Sequence, residues 1–155
     1  REATKDSYSW WVENGSDYSL FAVLQGDSFE EFAKSADEFC LGDYPQITYV
    51  GIPRVLVKPL GTRWKAIQYV EGIRPDINVH LLGFSDDVTD DIVCCHHPNV
   101  EGIDSAVPIR YTYSGGNGLY TPTSEIPPRP EDWFPKGQLD DDSLESLRLM
   151  RRICA

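Results

Sequence analysis

Residues 100–110, VEGIDSAVPIR, contain the clearest indication of the fold of this chain. A short apolar segment ends in the carboxylate of Asp104, and small residues, Pro108 and Arg110 follow it. This order is typical of a buried strand whose carboxyl end carries polar groups. Three earlier segments end in a comparable way, with a glycine at or near the tip: LQG at 24–26, VGI at 50–52 and LG at 82–83.

Segments with strand character alternate with segments of helical period along most of the chain. Strands are predicted at 18–24, 46–52, 77–82 and 100–104, and helices at 28–40, 59–72, 86–96 and 143–154. Strands that alternate with helices form parallel sheets, because each crossover returns the chain to the same edge. We therefore predict an α/β fold of (β/α) units with parallel strands, whose carboxyl ends share one site.

Composition divides the chain into four parts. Residues 1–17 form a polar N-terminal segment, residues 18–112 contain four βα-type units, residues 113–139 are a Gly/Pro-rich loop, and residues 140–155 form a C-terminal helix. A chain of 155 residues is long enough for one domain with its own core. We assign all four parts to a single domain.

Charge and cysteine content narrow the class of protein. The formal net charge of -11 excludes nucleic-acid binding through a general basic surface, although it is compatible with a local cationic track. No apolar run approaches the roughly 18 residues of a membrane span, and no signal-peptide pattern is present. The irregular spacing of the four cysteines favours a reduced, cytoplasmic protein. The chain begins at Arg1 rather than at a methionine, which favours processing or a longer parent protein.

Four strand ends resemble, in order, motifs of the tRNA-guanine transglycosylase superfamily. Residues 22–26 (AVLQG) resemble its strand ending in Val-Gln-Gly, and residues 49–52 (YVGI) resemble its Gly-Gly-Leu strand end. Residues 79–83 (VHLLG) resemble its Tyr-Leu-Met-Gly strand. Residues 102–110 (GIDSAVPIR) resemble its Asp-Cys-Val-Leu-Pro-Thr-Arg segment, with proline and arginine equally spaced from the acid. The resemblance covers residues 18–112.

The family fold is a (β/α)8 barrel, which needs about 250 residues. Because this chain holds four such units, the resemblance implies the C-terminal half of a TIM-type barrel. Its partner would be the missing N-terminal half barrel or another chain. The residues of these motifs are more similar to those of the phage and bacterial DNA-modifying branch than to those of the queuine and archaeosine enzymes that modify tRNA.

The resemblance implies a pentosyltransferase that exchanges guanine for a 7-deazaguanine base on an intact DNA or tRNA strand. It places Asp104 as the nucleophile, which would attack the sugar and form a covalent Asp–sugar intermediate. A carboxylate suits this step, because it is a modest leaving group and stabilises an oxocarbenium-like transition state. The alternative is that Asp104 caps the following turn through the amides of Ser105 or Ala106.

Base-binding residues are implied at the other strand ends. Gln25 and Gly26 would read the base edge, since an amide both donates and accepts hydrogen bonds. Gly51 and Gly83 would let the backbone approach a flat base, and Leu82 would form an apolar wall. A loop hydrogen bond and plain turn glycines are the alternatives. The family's doubled glycine is not intact here.

The last implied contact is between Arg110 and a backbone phosphate, for which a bidentate guanidinium is suited. A surface ion pair is the alternative. The zinc-binding run that the family carries after this arginine is not found, so no metal or other cofactor is predicted. Residues 94–97 (CCHH) are too close together for all four to face one ion.

Two further features have structural interpretations. His80 lies within an apolar strand and is predicted to be a core residue. The acids Asp86, Asp87, Asp90 and Asp91 are predicted to form a solvated helix start, with Asp86 close to the tip at Gly83. The family's acid/base aspartate and a further base-reading aspartate would lie in the absent half barrel.

Two other functions are compatible with the sequence. The first is a non-catalytic half barrel that serves as a binding or assembly module, which the acidic charge and the missing catalytic half favour. The second, a weaker alternative, is another TIM-barrel or flavodoxin-like enzyme in which Asp104 has an unrelated acid role. The incoming base, the choice of DNA or tRNA and the oligomeric state are left open by the sequence.

Overall fold

The computed structural model of the chain describes residues 2–14, 19–42, 44–54, 62–84, 88–114, 116, 118–125 and 139–155. Helices and parallel strands alternate along most of this length. The elements are α1 (Glu2–Glu13), β1 (Leu20–Val23), α2 (Phe29–Ala36), β2 (Ile47–Pro53), α3 (Thr62–Ile73), β3 (Asn78–Leu82), α4 (Val88–Cys95), β4 (Val100–Asp104), α5 (Val107–Tyr113) and α6 (Asp141–Cys154). A π-helical turn, Asp37–Leu41, continues α2.

The four strands form one parallel sheet in the order β1-β2-β3-β4. The predicted alternation of parallel strands and helices is therefore confirmed. Crossovers of one hand that all move in the same direction place their helices on the same face of the sheet. A doubly wound, flavodoxin-like sheet instead reverses direction and carries helices on both faces. This sheet has no such reversal among the described strands.

The main core lies between the sheet and α2, α3 and α4. Alternate strand side chains point toward these helices, because successive residues of a strand face opposite sides. Burial of each large aliphatic side chain stabilises the fold by roughly 2 kcal/mol. The strand residues buried in this core include Ala22, Leu24, Val50, Ile52, Val79 and Leu81, and the helical residues include Phe32, Ala36, Ala66, Ile67, Val70 and Cys94.

The opposite face of the sheet is accessible. Phe21 is 45% exposed, and Tyr49, His80 and Leu82 are half-buried. The pairings Phe21 with Tyr49 and Leu82 with Asp104 show that these side chains share this face. We call it the open face, defined by Phe21, Tyr49, His80, Leu82 and Asp104.

A second core joins the C-terminal elements to α4. Phe84, Val88, Tyr111, Tyr120 and Met150 are buried together there, and α6 packs against α5. The N-terminus of α6 is capped by Asp140, whose side chain accepts a hydrogen bond from the Ser143 N–H at 2.7 Å. The hydrogen bonds with Ser143 lower the pKa of the Asp140 carboxyl.

The C-terminal part differs from the sequence prediction. We expected the helix after the fourth strand to be delayed by a loop, whereas α5 follows β4 after two residues. This helix is short, and Pro108 lies in its first turn, where a missing N–H is tolerated. The prediction was wrong because a run of seven residues shows too little helical period to be recognised. Residues 126–138 of the Gly/Pro-rich loop lie outside the described residues.

The structure differs from the sequence prediction in two other segments. The polar N-terminal segment contains the helix α1, which contacts the main core through Tyr8. The predicted acidic helix is described from Val88 onward, and Asp86 and Asp87 lie outside the described residues. No described helix combines the length and the apolar character needed to cross a bilayer.

Candidate functional site

Asp104 is the last residue of β4 and its side chain is 62% exposed at the carboxyl edge of the sheet. Its Oδ1 atom accepts a hydrogen bond from the Gly83 N–H at 3.3 Å and lies 3.3 Å from Nε2 of His80. The turn after β4 is capped by another residue: Ser105 Oγ accepts from the Val107 N–H at 3.1 Å. Asp104 is therefore held by β3, its neighbour in the sheet, and not by the turn that follows it.

Gly83 positions this carboxylate through its backbone. Its φ of +73° lies in the left-handed region, which a residue with a Cβ adopts only with strain. In this conformation its N–H donates to Asp104, while its carbonyl oxygen accepts from the Arg63 guanidinium at 2.9 Å. A glycine is therefore required at this strand end, because its left-handed backbone conformation allows both hydrogen bonds.

His80 is not the core residue that we predicted. Within β3, Val79 and Leu81 point toward the helices, and His80 and Leu82 alternate with them onto the open face. The His80 side chain is 29% exposed and contacts Asp104. Gly102 provides the room for the ring, since a Cβ there would lie 3.2 Å from Nδ1. Strand alternation was the available signal, but it does not say which face a helix covers.

A cavity of about 420 Å³ lies on the open face next to this pair, lined by Ser19, Leu20, Phe21, Tyr49, His80 and Leu82. The ring centroid of Phe21 is 6.0 Å from that of Tyr49 and 6.1 Å from that of His80. Phe21 is therefore in contact with both other rings, and together the three rings present an apolar surface against which a flat ligand can stack.

Gly51 lies beneath Phe21 and Leu82, two of the residues that line this cavity. A Cβ at this position would lie 2.8 Å from Cζ of Phe21 and 3.0 Å from Cδ1 of Leu82. The space above the glycine is therefore already occupied by side chains of the chain itself. Its immediate structural role is to admit Phe21 and Leu82, and its predicted role in base binding stays a prediction.

Tyr49 and Glu101 bridge the open face across β3. The Tyr49 hydroxyl donates a hydrogen bond to the Glu101 carboxylate. The β3–β4 register shifts between Val79 and His80, which leaves Glu101 between two paired residues of β4. Burial, followed by this hydrogen bond, raises the pKa of Tyr49 to about 12. The phenol is therefore protonated at neutral pH and acts as a donor.

The strand ends beneath Asp104 are held by a buried arginine. Arg63, near the start of α3, donates to the carbonyl oxygens of Ile52 at 3.1 Å and of Leu82 at 2.8 Å. It also forms an ion pair with Asp91 of α4, and both side chains are fully buried. The prediction that Asp91 belongs to a solvated helix start is therefore wrong. The long-range partner that buries this acid leaves no periodic signal in the sequence.

Arg54 is a cation that the sequence prediction missed. It follows directly after β2, and its Cδ lies 3.4 Å from the position that a Cβ would take on Gly83. The exposed side chain therefore extends over the glycine whose N–H holds Asp104. Its position two residues after the predicted strand 46–52 was a signal that the sequence offered.

Gln25, Gly26 and Arg110 are placed away from this pair. The side chain of Gln25 is exposed at the end of β1, three strand spacings from β4, or about 14 Å. A Cβ on Gly26 would lie 2.4 Å from the backbone nitrogen of Phe32, so this glycine is needed for the start of α2. Arg110 is half-buried on α5, where its charge acts on the hydroxyl of Tyr120.

Metal-binding side chains do not cluster in the part of the chain that the structure describes: it holds no group of three or more His, Cys, Asp or Glu arranged for an ion. His97 is buried, packs edge-on against Trp64, and lies 3.4 Å from Oε2 of Glu71. Its environment is that of a structural residue at the end of α4.

Comparison with known proteins returned no relatives. No family model matches the chain, and no curated protein or solved structure matches it. Functional interpretation therefore depends on the open face and its carboxylate.

Proposed function

We propose that this chain belongs to a nucleobase-exchanging pentosyltransferase in which Asp104 is the nucleophile. The observation that carries the proposal is the position of the Asp104 carboxylate. It is exposed at the carboxyl edge of a parallel sheet, accepts from the Gly83 N–H, and contacts His80. Carboxyl ends of parallel strands are where enzymes of (β/α) architecture carry their chemistry.

The reaction would be a double displacement that retains the configuration of the sugar. Asp104 attacks C1′, so that a C–O bond forms as the C1′–N9 bond to guanine breaks. The incoming 7-deazaguanine base then displaces the carboxylate and restores it. The Gly83 N–H and His80 would orient one carboxylate oxygen, which directs the other toward the sugar.

The surroundings of Asp104 suit a nucleotide. Phe21, Tyr49 and Leu82 line the adjacent cavity with flat and apolar surface, which can receive a base by stacking. Arg54 extends beside Gly83 and would bind a backbone phosphate. Arg110 remains a second predicted phosphate contact. Arg54 thus places a positive charge next to the glycine that holds Asp104, in a chain whose net charge is acidic.

The same proposal includes a half barrel. The sequential strand order and the single helix-covered face support it, because a closed (β/α)8 barrel has both features. A second half, from another segment or another chain, would pair with β1 and β4 and enclose the open face. It would also supply the acid/base group that protonates the departing guanine and then takes the N9 proton of the incoming base.

The test is a covalent adduct detected by mass spectrometry of the complete protein. The protein is incubated with a guanine-containing oligonucleotide, in one arm DNA and in the other a tRNA stem-loop, with and without 7-deazaguanine. We expect an adduct in one arm, loss of adduct and of base exchange in Asp104→Asn, and retention of both in Asp76→Asn, an exposed acid far from the site. Base exchange by Asp104→Asn would overturn the assignment.

A non-catalytic binding or assembly module is the second candidate function. The exposed ring of Phe21 on an accessible sheet face favours it, because apolar side chains on such a face are typical of interaction surfaces. The intact mass of the native particle separates the two functions. A species near 17.5 kDa that forms no adduct in either arm would favour the module.

A further inference from the structure

The thiols of Cys95 and Cys154 meet between two helices that are distant along the chain. Cys95 is the last residue of α4, Cys154 is the last residue of α6, and these two helices are in contact. Both side chains are partly exposed, whereas Cys40 and Cys94 are buried in the main core. The chain thus holds one accessible thiol pair among its described cysteines.

Both thiols line a cavity of about 500 Å³ beside β4. Its walls include Phe84, Met150 and Leu147, with Ser105 and Arg151 as polar members. It shares no lining residue with the cavity on the open face, although Glu101 of this cavity is hydrogen-bonded to Tyr49 of the other. A small oxidant can therefore reach both sulfur atoms without passing the Asp104 site.

The two sulfurs are chemically unequal. The hydrogen bond from Cys95 lowers the pKa of Cys154, while the same bond and burial raise the pKa of Cys95. In the main core, burial raises the pKa of Cys40 to about 11 and that of Cys94 to about 12. Because the thiolate is the reactive form, Cys154 is the favoured nucleophile and Cys95 the favoured second thiol.

We propose that Cys95 and Cys154 form a redox-active dithiol that hydroperoxides convert to a disulfide between α4 and α6. The Cys154 thiolate attacks the distal peroxide oxygen, so that an S–O bond forms, the O–O bond breaks, and the alcohol or water leaves. The Cys95 sulfur then attacks the sulfenic acid, an S–S bond forms, and water leaves with the thiol proton. Two thiols are oxidised and one hydroperoxide is reduced.

The disulfide would link the C-terminal helix α6 covalently to α4. α6 otherwise contacts the rest of the fold through the second core, with Met150 and Ile153 on its packed side. A covalent link between α4 and α6 reduces the conformational freedom of the unfolded chain, and so raises the thermal midpoint. A thiol reductant would reverse both the link and the shift.

The test uses the purified protein treated with a small excess of hydrogen peroxide, followed by alkylation of free thiols and peptide mapping. We expect a loss of about 2 Da, the mass of two hydrogen atoms, and a cross-linked peptide pair that contains Cys95 and Cys154. Cys154→Ser should abolish the link. Cys95→Ser should leave a sulfenic acid on Cys154 that a 1,3-dione probe captures.

Two controls keep the assignment specific. Cys94→Ser removes the neighbouring buried thiol and should leave the cross-link unchanged. If that variant does not fold, peptide mapping of the wild-type protein still shows which cysteines are cross-linked. Overoxidation of Cys154 to the sulfinic acid with Cys95 still free would overturn the proposal. A link that involves Cys94 or Cys40 would also overturn it.

Discussion

The guanidinium of Arg63 forms an ion pair with the carboxylate of Asp91 at a point where neither side chain reaches solvent. Its Nη1 and Nη2 groups also donate hydrogen bonds to the backbone: Nη1 to the carbonyl oxygen of Gly83, and Nη2 to those of Ile52 and Leu82. One side chain thus connects the ends of β2 and β3 with α4. Gly83 in turn holds Asp104, so this buried pair sets the geometry of the exposed carboxylate.

Loss of one member of this pair should strongly destabilise the fold. Asp91→Asn leaves a buried guanidinium without its counter-charge, and breaking such a pair costs about 3–5 kcal/mol. Urea denaturation measures the change in the free energy of unfolding. The matched control is Asp76→Asn, which removes an 80% exposed acid 3.7 Å from Arg74 and should change stability by less than about 0.5 kcal/mol. Equal effects of the two substitutions would contradict the assigned role of the buried pair.

His80 is predicted to act as a positioning residue if base exchange proceeds at Asp104. His80→Leu removes a hydrogen bond to a carboxylate, worth about 1.5–3 kcal/mol, so kcat should fall by roughly 10- to 100-fold. His80→Gln keeps an N–H donor and should restore part of the rate. Steady-state kinetics would show the loss in kcat with KM nearly unchanged. A rise in KM with an unchanged kcat would instead indicate that the ring binds substrate.

Tyr49 makes a pH-dependent contribution to stability. Its pKa is about 12 in the folded protein, against about 10 in an unfolded chain. A raised pKa means that the contribution is complete below about pH 10 and is lost as the pH rises through 12. The difference in unfolding free energy between wild type and Tyr49→Phe should therefore shrink over this interval. Glu101→Gln, which keeps an acceptor without the charge, should lower the Tyr49 pKa measured by NMR, and an unchanged pKa would contradict the assigned interaction.

Two glycine substitutions should have opposite signs. Gly72 lies inside α3, and a Cβ there would meet nothing within 4 Å, so Gly72→Ala should stabilise the protein by about 0.5–1 kcal/mol. Gly83 has a φ of +73°, so Gly83→Ala should destabilise it by about 1 kcal/mol or more. Both changes are measurable by urea denaturation. A stabilising effect of Gly83→Ala would mean that the left-handed turn is not required.

Much of the sheet could be predicted from local pattern. Strand β4 has the predicted bounds, and the bounds of the other three strands lie within two residues of the predicted ones, because each strand is a short apolar run bounded by turn residues. Parallel pairing then brings Leu82, Gly83 and Asp104 to one edge. The helix α5 was missed because a run of seven residues containing a proline has too little helical period to detect.

The residues around Asp104 were harder to predict. His80 was read as core because its neighbours Val79 and Leu81 are apolar, and Asp91 was read as solvated because other acids surround it. Arg63 drew no attention, since its four partners come from three different elements. Each of these positions depends on a contact between segments that are distant along the chain.

The sequence by itself determined the alternation of the four strands with α2, α3 and α4, the parallel character of the sheet and the presence of an acid at the end of β4. These follow from hydrophobic period and turn chemistry, which are properties of neighbouring residues. Only the tertiary structure decided which face of β3 the helices cover, and therefore that His80 meets Asp104. It also decided that Arg63 meets Asp91 and that Cys95 meets Cys154. Alternation along a strand assigns its side chains to two faces, but it does not show which face is buried. The packing of the helices decides that.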